Sequence, residues 1–475
     1  MRSAIRTGAA VVLLVGPTLL AFWSGGYFAD PRLAAGVIAW LLAALAFVLT
    51  PRPLPRSGPG RVAVAGLAAL TALVGLSILW APIAATAQSD LQRLLLYLGA
   101  LLAGVALLRG RMGLRTVEPA LCAGILVVIA YALSARLLPG LVDQEASRSA
   151  AGRLEQPLTY WNAMGALAAV GTVLAVRVAG DRSRKAWLSA CAAAAAVPLA
   201  VGVYLSFSRG ALLAVLIGVL VIAIASRDRA QLRVLGAVAA AAVLACLAAG
   251  LMPGVRAIEG GLPARELQGV AMLGLLLLLM AVSALLASRL RETAPDGEMA
   301  VPWAVAAVGA VVVVGGFLFV AAGSGDQGNQ PRFGADTRRL ASFESNRYEY
   351  WQVASRMFAS DPVAGQGSGA FRVVWRRERT IDDPALDAHS LPIETGAELG
   401  IAGLLALIAF VVGTGWGAVR LVRERRTEAT GAAAALSALA LHSAVDWDWE
   451  MPALALVGIL LVAAVVAALD EVQAA

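Results

Sequence analysis

The chain has 475 residues, 60% of them hydrophobic and only 15% charged, with a mean hydropathy of +0.78. Soluble domains sit near 45–50% apolar and about 25% charged. Here the apolar excess runs along the whole chain, which excludes a soluble enzyme with a tail, a disordered chain and a secreted disulfide scaffold. The formal net charge is +7, but in such a chain the location of charge says more than its sum. Cys122, Cys191 and Cys246 each lie inside an apolar run with no CxxC pair. That argues against zinc, thiol redox chemistry and a disulfide framework.

A helix needs about 20 mostly apolar residues to span a bilayer. Fourteen runs approach that length: 8–24, 33–50, 61–80, 93–109, 117–138, 159–179, 186–206, 210–226, 231–251, 267–289, 302–322, 393–419, 430–445 and 452–469. The run at 430–445 is short, and only Ser206, Phe207, Ser208, Arg209 and Gly210 separate 186–206 from the run after it. The first run follows Arg2 and Arg6 without a convincing small-residue cleavage site. Trp23, Tyr27 and Phe28 after it suit a membrane interface, so it reads as a retained helix. The expected fold class is all-α, a polytopic membrane bundle of about 12–14 transmembrane helices.

Orientation follows from basic residues near the helix ends. With the N-terminus inside, the inner segments carry Arg2 and Arg6; Arg52, Arg56 and Arg61; Arg109, Arg111 and Arg115; and Arg177, Arg182, Arg184 and Lys185. They continue with Arg227, Arg229 and Arg233; Arg289 and Arg291; and Arg420, Arg423, Arg425 and Arg426. The opposite connections are poor in base, as in Asp446-Trp447-Asp448-Trp449-Glu450. Both termini are therefore expected in the cytoplasm. The positive sum reads as an orientation signal, and no basic patch remains for nucleic acid.

One connection breaks the pattern of short loops. Residues 323–392 contain nine arginines and nine acids and fall on the outer face. A long loop in a compact protein is usually functional or disordered. Tyr348, Trp351 and Phe358 recur at roughly helical spacing, followed by Asp361-Pro362 and the glycine-rich 365–369, so an ordered cap with short helices is expected. The glycine-rich run lacks the Gly-Lys-Ser/Thr ending of a phosphate loop and reads as a turn. The expected organisation is one membrane domain: helices one to eleven in 1–322, the extracytoplasmic loop in 323–392, and the last three helices in 393–475.

Ionisable groups at membrane depth are costly and are functional candidates by default. Arg209 sits between two helices joined by almost no loop. It is either a snorkelling residue or a guanidinium placed to grip an anion at the outer interface. His389 and His442 are the two histidines, and both fall on the outer side. An imidazole of ordinary pKa, near 6.5, accepts a proton from a hydroxyl near neutral pH. Against that, His389 can be a surface or capping histidine. His442 lies one turn before Asp446, where a structural His–Asp bond explains the pair as well as catalysis does. Arg347 opens Arg347-Tyr348-Glu349-Tyr350-Trp351. Glu394 and Glu398, spaced i, i+4 on the next helix, can both face the outer cavity, to pair with an arginine or to orient a base.

Several segments together resemble the O-antigen ligase family, polytopic enzymes that include O-antigen ligases and related polymerases. In order they are 152–162, with Arg153, Tyr160, Trp161 and Asn162; Ser208-Arg209-Gly210; 347–351; the Asp361-Pro362 to Gly365-Gln366-Gly367 turn; Ala388-His389-Ser390; 398–403; and His442-Ser443-Ala444-Val445-Asp446. The resemblance covers about residues 150–450, and the first five helices add only hydropathy. One departure is Ser390, where the family commonly has asparagine after the histidine.

The resemblance implies a glycosyltransferase of GT-C type that acts on the outer face of the bacterial cytoplasmic membrane, without metal or other cofactor, and inverting. The implied donor is a glycan on undecaprenyl diphosphate and the acceptor a sugar or other hydroxyl, with the prenyl chain held among apolar helices open to membrane lipid. Arg209 and Arg347 would meet the diphosphate, and His389 would take the acceptor proton. Supporting positions would be Glu398, Glu394, His442, Asp446, Arg153, Tyr160 and Asn162. A polymerase joining repeat units is the alternative within the enzyme class. A transporter of a lipid-linked sugar or anion is the alternative outside it, disfavoured because charge avoids the helix centres.

Overall fold

The computed structural model describes residues 1–295, 334–336, 346–424 and 427–473. The expected span at 302–322 and most of 323–345 lie outside the described residues, which contain no strand. Helices of eight residues or more are α1 (Arg2–Ala21), α2 (Ala29–Leu49), α3 (Gly58–Ser77), α4 (Ala84–Leu107), α5 (Leu114–Leu137), α6 (Trp161–Gly180), α7 (Ala186–Leu205), α8 (Arg209–Ser226) and α9 (Arg229–Leu251). There follow α10 (Leu262–Thr293), α11 (Arg347–Ser360), α12 (Phe371–Glu378), α13 (Leu391–Arg423), α14 (Thr430–Ser443) and α15 (Pro452–Val472). Pro59, Pro263, Pro392 and Pro452 stand in the first turn of their helices, where the missing N–H costs nothing.

Among the described residues twelve helices are long and apolar enough to cross a membrane. The short run foreseen at 430–445 is α14, and it is not one of them. At 1.5 Å per residue its 14 residues extend only about 21 Å, against a hydrocarbon core of about 30 Å. It lies among α6, α8, α13 and α15, and its last turn brings His442 into the packed interior.

Burial sorts the bundle from centre to edge. α6 and α15 are buried almost throughout, whereas most of α2 is exposed. α6 presents Ala163, Ala166, Ala168 and Ala169 to its neighbours. Small side chains let helix backbones approach closely where hydrocarbon supplies no solvent-driven attraction. α2, α9 and α10 keep apolar side chains such as Val37, Leu247 and Leu267 on the outside, as a lipid-facing surface does.

The connections gather at two ends. At one, the cap end, Leu154 N–H donates to Leu205 O at 2.9 Å and Ser368 N–H to Ser77 Oγ at 3.2 Å. There Arg136 donates to Val255 O at 2.9 Å, and the Tyr27 and Trp447 rings lie 5.7 Å apart. At the arginine end, Arg184 pairs with Glu118 at 2.9 Å and Arg109 with Asp470 at 3.0 Å. Arg177 reaches Thr427 O at 2.8 Å.

The described part of the large loop is ordered around α11 and α12. Tyr350, Val353, Met357, Phe371 and Trp375 form a core of their own. The cap is locked to α13 at a break in that helix. Gly400 has φ +63° and ψ −158° inside α13, and a side chain there would collide with the carbonyl of Val363. Backbone partners lost at the break are replaced by the 361–369 turn: Ile401 N–H donates to Pro362 O at 2.8 Å, and Gly367 N–H donates to Glu398 O at 2.8 Å. Two segments distant in the sequence thus share one backbone ladder.

Candidate active site

Asp446 is the hub at the cap end. It follows α14, where the chain leaves helical geometry, and it is 1% exposed. Its Oδ1 accepts from Tyr160 Oη at 2.6 Å and from Trp447 N–H at 2.9 Å. Its Oδ2 accepts from Asn162 Nδ2 at 2.7 Å and from Arg347 at 2.7 Å. Burial pushes this carboxyl up, but Arg347 above all, with His389 and His442, holds it below the usual carboxylate range. The Tyr160 phenol is raised well above its ordinary value by burial and then by Asp446, so it remains a donor. A carboxylate with donors on both oxygens is a fixed anion. It anchors the first residue of α11.

His389 stands just before α13, half-buried, in the left-handed region at φ +54°. Its Nδ1 lies 3.0 Å from Asp387 O. A carbonyl only accepts, so Nδ1 carries the hydrogen and the neutral ring presents Nε2 as an acceptor. The Tyr350 ring lies 5.1 Å from the imidazole and that of Trp447 6.3 Å away. The N–H of Ala388, next in the chain, donates to Glu394 Oε2 at 2.6 Å.

Of the two glutamates, then, Glu394 is the one that secures the His389 backbone. Glu398 accepts from Gly369 N–H at 2.8 Å and Phe371 N–H at 3.0 Å and so holds the glycine-rich turn. The sequence left open which of the two meets an arginine or orients a base, because i, i+4 spacing does not say which loop each carboxylate meets. The partner of His442 differs from the expectation. Its Nδ1 lies 2.6 Å from Asp448 Oδ2, while Asp446 serves Arg347. The helix ends at Ser443, so a spacing of four no longer aligns the two side chains, and the turn at Asp448–Glu450 returns Asp448 to the imidazole.

Arg209 is the first residue of α8 and is 7% exposed. Ser208 caps that helix, accepting from Ala211 N–H at 3.2 Å, and its hydroxyl lies 3.4 Å from His442 Nε2. Arg153 is buried with its guanidinium 3.6 Å above the Trp161 ring and donates to Ala150 O at 2.7 Å and Ser149 O at 2.6 Å. It shapes the 149–161 segment that delivers Tyr160 and Asn162.

Beside this centre lies a cavity of about 50 Å³ lined by Asp90, Asp387, Glu394, Glu398 and Glu450 together with Arg93 and Arg372. Arg93 pairs with Asp90 at 2.9 Å and Glu450 at 3.2 Å. α4 therefore reaches the neighbourhood of His389, although its sequence shows only hydropathy interrupted by an i, i+3 pair. Oxygens of Asp387, Glu394 and Glu450 lie within 4.8 Å of one another, a spacing a cation can bridge, but two guanidiniums already bring positive charge to the same walls. Burial pushes the Asp387 carboxyl up against the pull of Arg372, and pushes Glu450 well up against that of Arg93.

An apolar groove of about 1120 Å³ runs between α8, α13, α14 and α15. Val221, Phe410 and Ile459 line its length, Arg227 and Arg423 stand at the arginine end, and Ser443 and Asp448 at the cap end.

Residues 267–408 match the family model described as O-antigen ligase. The match runs from α10 through the cap and the break in α13, and includes Arg347, His389, Glu394 and Glu398. No curated protein matches the chain. Over this segment, about a third of its length, the chain is similar to the O-antigen ligase family, enzymes of ligase and glycosyltransferase type.

Proposed function

We propose that this protein transfers a glycan from an undecaprenyl-diphosphate-linked donor to a hydroxyl acceptor at the outer face of the cytoplasmic membrane, with inversion and without a metal. The observation that carries this reading is the geometry around Asp446, which holds Arg347 at 2.7 Å and whose neighbour Trp447 lies 6.3 Å, ring to ring, from His389. A cation and a proton acceptor thus share one end of the bundle, beside a groove of a size to take prenyl chain. The outward direction of that end rests on the arginines concentrated at the other.

In the reaction, His389 Nε2 takes the proton of the acceptor hydroxyl as its oxygen attacks the anomeric carbon. The bond from that carbon to the diphosphate oxygen breaks, and its electron pair leaves with the diphosphate. Negative charge therefore grows on the leaving group, and preorganised cations lower the barrier most where charge develops. Arg347, fixed by Asp446, and Arg209, at the start of α8, take that role. Joining repeat units to one another is the same chemistry with a different acceptor.

The test is transfer of a lipid-linked glycan by protein reconstituted in liposomes. His389→Ala and Arg347→Ala should each lower kcat by about 10²-fold or more, the range for loss of a general base or a charge-stabilising group. Transfer should persist in EDTA. Full activity in either variant, or a strict divalent-cation requirement, would overturn the mechanism.

A further inference from the structure

A line of buried polar groups leads from the cap end of the apolar groove to Arg209. Asp448 Oδ2 lies 2.6 Å from His442 Nδ1, and His442 Nε2 lies 3.4 Å from Ser208 Oγ. Ser208 is the residue before Arg209 and the cap of α8. Asp448, His442 and Ser208 are 1%, 0% and 4% exposed. His442 therefore neither binds nor deprotonates a substrate directly.

We propose that His442 is a positioning residue for glycan transfer: held by Asp448, it fixes the Ser208 hydroxyl and through it the first turn of α8, which carries Arg209. The inference rests on the reading of Arg209 as the cation that meets the diphosphate. The carboxylate of Asp448 accepts the Nδ1–H, so the neutral ring turns a lone pair on Nε2 towards Ser208. The hydroxyl already accepts from Ala211 N–H at 3.2 Å, which leaves its own hydrogen for His442. With both directions of the hydroxyl engaged, the rotation of the first turn is set.

The packing is built for this approach. A side chain at Gly210 would come within 3.1 Å of His442 Nε2, so glycine allows α14 and α8 to touch there. Stability alone does not explain the arrangement, since buried polar or ionic groups are often no better for folding than apolar residues of the same volume. Its use lies in specifying one geometry at the helix start. Asp448 also lines the cap end of the groove, so the same carboxylate borders both the expected path of the prenyl chain and the support of Arg209.

The experiment is a double-mutant cycle in the reconstituted transfer assay. His442→Ala should lower kcat about tenfold with the acceptor KM unchanged, and His442→Gln, whose amide reaches towards Ser208, should recover to within about threefold. In an Arg209→Lys background, His442→Ala should cost no more than about twofold, because coupled residues are not additive. Equal losses in both backgrounds would overturn the inference, as would His442→Gln behaving like His442→Ala. Should His442→Ala fail to assemble, Asp448→Asn carries the same cycle with its shape retained. Arg209→Lys alone at the wild-type rate would instead remove the underlying reading of Arg209, and this inference with it.

Discussion

Two carboxylate regions lie side by side at the cap end and solve burial in opposite ways. Asp446 is a single acid with donors on both oxygens, one of them the Arg347 guanidinium. The neighbouring cavity has five acids facing two arginines. A saturated anion is rigid and fixes what it touches, whereas a surplus of anions in a small volume is relieved by protons. The first arrangement suits a support for a cation that works. The second suits a joint whose charge state varies, and which holds the cap, α4 and α13 together.

Asp446→Asn should show the largest effect. It keeps the shape but leaves the part-buried Arg347 beside a neutral amide, and breaking one side of a buried pair costs at most about 3–5 kcal/mol. Transfer should fall by about 10²-fold, comparable with loss of Arg347 itself. Equal activity in the variant and the parent would show that Arg347 is placed by something else. Glu394→Gln comes next. Its Oε2 takes the Ala388 N–H at 2.6 Å, a bond that the amide keeps only with its oxygen, and not its NH2, turned to that donor. A loss of about tenfold in kcat is expected, with Glu398→Gln smaller because its partners lie in the turn. If Glu398→Gln proves the more damaging, the docking of the cap outweighs the seating of His389.

The membrane helices and the order of the site segments were legible because both are local. An apolar run of sufficient length must bury its backbone polar groups in a helix; the break at Gly400 was not legible, because 393–419 reads as one continuous apolar run. Partnerships across the fold were hidden. Glu450 meets Arg93 across 357 positions of sequence, and nothing on α4 beyond one Asp and one Arg announces it. His442 was paired with Asp446 on helical spacing, and the end of α14 at Ser443 undid that register. The contact of Ser208 with His442 was equally hidden, since His442 comes from a helix more than two hundred residues later. Spacing within an element predicts faces; it says nothing about which element arrives opposite.

The smallest expected effect separates the two regions by the sign of their pH dependence. Asp446 is held below the usual range, so it contributes stability that is present above the ordinary aspartate value of about 3.9 and is lost as pH falls through its lower folded value. Asp387 and Glu450 are raised by burial. They favour the fold fully below the ordinary carboxylate range, and that contribution is lost as pH climbs through their raised values. Between pH 5 and 9, thermal unfolding of the protein in detergent should therefore shift to lower temperature as pH rises. Glu450→Gln should flatten that slope, because it removes one of the protons to be lost. Arg93 would keep Asp90 at 2.9 Å, so transfer should stay within about threefold of the parent, in the manner of a charge distant from the reacting atoms. A slope unchanged by Glu450→Gln would mean that Arg93 keeps Glu450 ionised throughout. The cavity would then be a fixed ion network like the one around Asp446, and the contrast between the two regions would disappear.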